Sequence, residues 1–231
     1  MATLYIIATP IGNLEDISKR ALRILSEVDL ILCEDTRVTK KLLSYYGIKT
    51  PTLSYHQHSK FQKIDYIISL LKQNKNLALV SDAGTPGISD PGNLLVNEAI
   101  KRLNDKVKIV PIPGPSALTT AASISGFPMD KFLFLGFPPT KRKRKKFFEE
   151  VINSKYPVIF YESPHRILNT LNELKFWQIR AQIPENSRIV VCRELTKKFE
   201  TIYRGKIEEV IKKIEKDKIK GEFIVVIEGK K

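Results

Sequence analysis

Residues 77–92 read LALVSDAGTPGISDPG, four apolar residues running into a loop of Gly, Pro and Asp. Leu77-Ala78-Leu79-Val80 shows no polar alternation, the composition of a strand buried on both faces, as in a parallel sheet. The twelve residues that follow hold three glycines, two prolines and two aspartates. That is long for a connection from a strand to a helix. In a parallel sheet the ligand crevice lies beyond the C-terminal strand ends. Gly and Pro there let backbone N–H and C=O groups approach a ligand in a fixed shape. The loop has neither G-x-G-x-x-G spacing nor the Gly-Lys-Ser/Thr ending of a phosphate loop, which weighs against a nicotinamide or ATP site.

The same rhythm extends to both sides. Residues 4–8 form an apolar strand ending in Thr9-Pro10-Ile11-Gly12-Asn13. A helix is expected over residues 17–28, a strand over 30–33 and helices over 36–46 and 61–71. Another runs from the long loop to about residue 102. Residues 107–110 are a strand, followed by Pro113-Gly114-Pro115 and a small-residue helix over 116–125 that Ser116 could cap. Alternating strands and helices define an α/β domain with a mainly parallel sheet. Gly126-Phe127-Pro128-Met129-Asp130 breaks the rhythm, so domains are expected at residues 1–125 and 126–231. The second half offers strands at 132–135, 158–161, 188–193, 200–203 and 223–227, with a helix opened by the basic run at 141–146 and running to about residue 152, and helices over 164–174 and 207–216.

The chain has 231 residues and a formal charge of +14. The excess is uneven: residues 1–120 carry 15 basic and 11 acidic side chains, residues 121–231 carry 24 and 14. Lys141-Arg142-Lys143-Arg144-Lys145-Lys146 places six cations in a row, which must be well solvated or meet a polyanion. RNA phosphates are the partner such a run suits, giving affinity and salt dependence rather than sequence choice. Two cysteines, Cys33 and Cys192, sit in apolar strands and read as small buried hydrophobes, which excludes a disulfide scaffold. No apolar run approaches the roughly 20 residues that span a bilayer. Residues 1–10 lack a basic leader pattern, so a soluble cytoplasmic protein without a membrane partner is expected.

Two further strand ends concentrate polar chemistry. Cys33-Glu34-Asp35-Thr36-Arg37 closes one strand, and Tyr161-Glu162-Ser163-Pro164-His165-Arg166 closes another. Such density at a strand end is more often a site than a surface accident. Glu34 and Asp35 also suit a helix start, complementing its dipole. His56 and His58 would share one face of a strand, but with no acidic or thiol partner nearby in sequence they read as polar surface or substrate contacts, and no metal is expected.

These segments, with Arg193-Glu194-Leu195-Thr196-Lys197 and KGEFIVVIEG over residues 220–229, resemble the tetrapyrrole methylase superfamily. The resemblance is to its ribosomal branch, the bacterial 16S ribosomal RNA cytidine-2′-O-methyltransferases, and it runs nearly end to end in motif order. It implies two α/β domains with S-adenosylmethionine in the cleft between them. It also implies a homodimer acting on a cytidine ribose in the decoding region of the 30S subunit. Carried over by motif, Pro10, Asp82, Ala83, Gly84, Thr85, Ile88, Ser116, Ala117, Tyr161, Leu195, Gly221 and Glu222 should surround the cofactor. From their strand-end positions, Glu34 or Asp35 is expected as the base and Arg37 and Arg166 as phosphate holders, with His165 beside them. A corrinoid methyltransferase would share the cofactor site without needing the charge. A non-catalytic RNA-binding assembly factor would explain the charge but not the loops.

Overall fold

The computed structural model describes residues 1–56, 61–182 and 187–230. It divides into two compact units, Met1–Ser116 and Ala117–Lys231.

The first unit contains β1 (Ala2–Ile7), α1 (Lys19–Glu27), β2 (Leu30–Cys33), α2 (Thr36–Tyr45) and β3 (Thr52–Ser54). These are followed by α3 (Phe61–Lys72), β4 (Leu77–Val80), α4 (Asn93–Leu103) and β5 (Val107–Ile112). The five strands form one parallel sheet in the order β3-β2-β4-β1-β5. Side-chain alternation divides the core into two layers. Ile7, Ile31, Cys33, Ala78 and Val80 pack with Ile24, Leu25 and Leu43 of α1 and α2. Leu4, Leu32, Leu77 and Leu79 pack with Ile64, Ile67, Leu95 and Ala99 of α3 and α4. Strand β3 is the one element absent from the sequence reading; three half-buried residues are too few to show a period.

This order fixes where a ligand fits. From β1 the chain crosses towards β2, and from its neighbour β4 it crosses the other way to β5. The loops after β1 and β4 therefore leave on opposite faces and open a crevice between adjacent strand ends. Those are the two loops singled out by their Gly and Pro content.

The second unit contains α5 (Ala117–Ser125), β6 (Leu133–Phe134), α6 (Arg144–Asn153), β7 (Val158–Glu162) and α7 (Ile167–Arg180). They are followed by β8 (Arg188–Arg193), β9 (Thr201–Lys206), α8 (Ile207–Glu215) and β10 (Phe223–Ile227). Its sheet runs β6-β7-β10-β8-β9 and is mixed: only β6 and β7 are parallel. Phe148, Leu171, Val210 and Ile214 of α6, α7 and α8 cover one face. Helix α5 packs against β10 and β7. It thus belongs with the second sheet, and the units part at its N-terminal end, nine residues before the position expected from the Gly126 break. Both cysteines are buried and free. Burial pushes the Cys192 thiol up to about 12 and raises that of Cys33.

Candidate active site

In the first unit three loops are tied together at the C-terminal strand ends. Thr9 and Gly84 exchange backbone hydrogen bonds, Thr9 N to Gly84 O at 2.9 Å and Gly84 N to Thr9 O at 3.0 Å. The Thr9 hydroxyl donates to Ser81 O (3.1 Å), and the Thr85 hydroxyl donates to Pro115 O (3.2 Å). Gly84 sits at φ +83°, and a Cβ there would lie 3.3 Å from Ile11 Cγ2. Only glycine adopts that conformation cheaply, so the close approach of the loops depends on it. Pro10 is buried, Asp82 and Ala83 are exposed, and Ile88 presents an apolar side chain at 40% exposure.

The second unit gathers the other motif residues at one end of its sheet. Tyr161 pairs with Ile224, and Phe223 pairs with both Glu162 and Arg193. Gly221 and Glu222 therefore enter the sheet beside the ends of β7 and β8. Arg193 holds this entry: its Nε–H donates to Lys220 O (2.9 Å) and its Nη1–H to Asp217 Oδ2 (3.0 Å). The Glu194 carboxylate accepts from Glu222 N (3.0 Å) and from Lys197 Nζ (2.8 Å). Gly221, at φ +88°, lies flat on that carboxylate: a Cβ there would fall 2.3 Å from Glu194 Cδ. Leu195, the next residue, is buried. Tyr161 stacks edge-on against Phe134, with ring centroids 5.0 Å apart.

The expected substrate residues fall into different environments. Asp35 caps α2 by accepting from Arg37 N (2.8 Å), and it binds the Arg37 side chain through Nε and Nη2. The Arg37 guanidinium holds the Asp35 carboxyl well down, at about 2. Glu34 is half-buried; burial raises its carboxyl, the Asp82 carboxylate raises it further, and His56 opposes both. Asp35 N donates to Asp82 Oδ1 (3.0 Å), so the ends of β2 and β4 are joined. His56 lies beyond β3 rather than within a strand, and His58 lies outside the described residues.

Arg166 is not a free phosphate holder. It pairs with the fully buried Glu162 (Nη2 to Oε1, 2.7 Å) and donates to Ser163 Oγ (3.3 Å) and Pro138 O (3.1 Å). Glu162 is the last residue of β7 and Arg166 follows by four, which folds the guanidinium back onto the acid. His165 beside it is exposed. The basic run also divides. Arg144 is drawn inward: it donates to Glu173 (3.0 Å), Pro139 O (3.0 Å) and Thr170 Oγ1 (2.9 Å), and it lies over Phe148. The Thr170 hydroxyl in turn donates to Glu162 Oε2 (2.6 Å), linking the run to the β7 strand end. Lys145 reaches Glu149 and the Trp177 ring, while Lys141, Arg142, Lys143 and Lys146 are exposed. The positioning roles of Arg193, Glu194 and Glu162 are not evident from the sequence. Their signal was opposite charges packed into short strand-end motifs.

The residues present fit S-adenosylmethionine. At the turn Asp82-Ala83-Gly84-Thr85 the first two residues are exposed, and the glycine, its own N–H and C=O taken up by Thr9, leaves no side chain in the way. Apolar Pro10 and Ile88 flank it. Among the described residues no group of three or more His, Cys, Asp or Glu is placed to hold a metal, and no helix is long and apolar enough to cross a membrane.

A five-stranded parallel unit with its crevice at β1 and β4, joined to a mixed-sheet unit, is the architecture of the tetrapyrrole methylases. The chain belongs to that family: the profile described as Tetrapyrrole (Corrin/Porphyrin) Methylases matches residues 3–211. Within the family its full-length likeness is to proteins named ribosomal RNA small subunit methyltransferase I. That of Halalkalibacterium halodurans is 46% identical, covering 98% of this chain and 76% of the relative. That of Thermotoga maritima is 44% identical over 100% of both. The fold alone is shared more widely. A diphthine synthase matches 99% of this chain and 90% of its own at TM-score 0.72 and 14% identity. A cobalt precorrin-4 methyltransferase of cobalamin biosynthesis matches 98% and 94% at 0.65 and 16%.

Proposed function

We propose that this protein transfers a methyl group from S-adenosylmethionine to the ribose 2′-oxygen of a cytidine in the decoding region of 16S ribosomal RNA. The coarser statement, an S-adenosylmethionine-dependent ribosomal RNA methyltransferase, follows from the family and from relatives similar over 98–100% of this chain. The finer one is supported by the Glu34–Asp82 strand end beside the glycine loop. A ribose hydroxyl is a weak nucleophile at neutral pH, and burial raises the Glu34 carboxyl, which makes its ionised form a stronger base. The cofactor supplies an electrophilic methyl on its sulfonium. The chain's own work is alignment, which alone lowers a barrier by about 7–11 kcal/mol in ideal cases. Cytoplasmic action on the 30S subunit as a homodimer belongs to the same reading. The exposed members of the basic run, Lys141, Arg142, Lys143, Lys145 and Lys146, contribute phosphate contacts.

Alkaline hydrolysis of RNA needs a free 2′-hydroxyl. Subunits from a strain lacking the endogenous methylase, treated with protein and cofactor, should therefore acquire one alkali-resistant linkage after a cytidine. Label incorporated without such a linkage would place the methyl group on a base and contradict the 2′-O assignment.

A further inference from the structure

The outer side of α2 is unusual for a helix of this unit. Val38, Lys41, Leu42 and Tyr45 recur at spacings of three and four, yet Val38 is 41% exposed and Tyr45 66%. Leu42 packs partly against the core, but Val38, Lys41 and Tyr45 do not. Instead they wall a cavity of about 370 Å³, closed on the other side by Pro10, Gly12 and Leu14 of the β1 loop and floored by Ser81 and Asp82. That volume suits a small organic ligand. The two walls are held together: the Tyr46 hydroxyl donates to Leu14 O, and the Tyr46 ring braces Tyr45 edge-on at 4.9 Å. Buried Thr39 also lines the cavity, and its hydroxyl oxygen has nothing stronger beside it than the Cys33 thiol.

We propose that this pocket takes an unpaired nucleotide of the RNA substrate, its base on the Tyr45 ring and its phosphate on Lys41. The proposal rests on the ribosomal RNA methyltransferase reading and names the place where the strand docks. Charge selects the occupant. Arg37, Lys40 and Lys41 stand on α2; of the nearby acids Asp35 is engaged by Arg37, while Asp82 lies on the floor and Glu34 precedes the helix. Among the described residues Lys41 has no ion pair. A phosphate is attracted there, whereas the cationic sulfonium of S-adenosylmethionine is repelled. An exposed tyrosine beside apolar residues is a stacking platform of the kind that holds splayed-out bases, and duplex RNA offers it no free base face. The floor at Asp82 adjoins Asp35 and Glu34, so a strand seated here passes the candidate base.

The test compares the full chain with Tyr45→Ala, Tyr45→Phe and Lys41→Ala. Anisotropy measures binding to a short single-stranded RNA and to a duplex of equal length over a salt series. Calorimetry measures S-adenosylmethionine affinity on the same preparations, which also reports that each variant is folded. Tyr45→Ala should weaken single-strand binding about 10–100-fold while leaving the duplex and the cofactor unaffected. Tyr45→Phe should retain most of the affinity, and Lys41→Ala should reduce the salt slope by roughly one phosphate. Unchanged single-strand binding, or equal loss on duplex, would overturn the proposal. Parallel loss of cofactor binding would do so too, by assigning the pocket to the cofactor. If the unaltered protein binds the cofactor but neither RNA, the ribosomal RNA reading itself fails and the pocket assignment falls with it.

Discussion

At the end of β2 the chain carries two carboxylates in succession, and their surroundings give them opposite characters. Asp35 faces out, caps α2 and is held ionised by Arg37 at about 2. A carboxylate so stabilised is a poor proton acceptor at neutral pH. For Glu34, burial and then the negative charge of Asp82 raise the carboxyl. A raised carboxyl is a stronger base, and it serves only when ionised, so its contribution to rate grows as pH rises through that raised value. Glu34→Gln should reduce turnover about 10²–10⁴-fold and remove the acid limb of the pH–rate profile. Asp35→Asn should keep the limb and lose mainly helix stability. A Glu34→Gln protein with unchanged turnover and an intact acid limb would remove Glu34 from the chemistry. In the sequence both acids stand together at one strand end. Sequence could not separate them, because the difference lies in the burial of Glu34, in the Asp82 and His56 charges acting on it, and in the Arg37 guanidinium on Asp35.

Elements show the same division between what is written locally and what is not. Strands β2, β4 and β10 are apolar runs bounded by breakers, and their limits were legible to the residue. Helix α7 runs on to Arg180 past the expected stop near residue 174, since nothing between Leu174 and Arg180 breaks a helix. The antiparallel pairing of β8, β9 and β10 was invisible, because strand direction is set by long-range partners. The segments expected at the cofactor stand out in the sequence as motifs, but the devices that hold them do not. Arg193 on Lys220 O and Glu194 on Glu222 N join positions 27 and 28 residues apart. Gly221 illustrates the consequence: its positive φ and the Glu194 carboxylate beneath it leave no room for a methyl group. Gly221→Ala should weaken S-adenosylmethionine binding about tenfold or more, through displacement of the turn at a cost of roughly 1–3 kcal/mol. Calorimetric titration checks this, and unchanged affinity would mean that the turn does not touch the cofactor.

For the molecule as a whole, charge distinguishes ribosomal RNA from the small acidic tetrapyrroles on which other members of the fold act. The net charge of +14 is concentrated beyond residue 120, and five of the six residues in the basic run are exposed, only Arg144 being drawn inward. Contacts to a polyanion release counterions, so affinity for single-stranded RNA falls with salt by about 0.7 in log–log slope per phosphate neutralised. A small tetrapyrrole releases few and responds weakly. The most direct measurement offers both substrates at once: unmethylated 30S subunits and a tetrapyrrole precursor, with tritiated S-adenosylmethionine, across a salt series. Label should enter the ribosomal RNA and decline steeply as salt rises, leaving the tetrapyrrole unlabelled. Label in the tetrapyrrole, insensitive to salt, with none in the RNA, would contradict the function proposed for this chain.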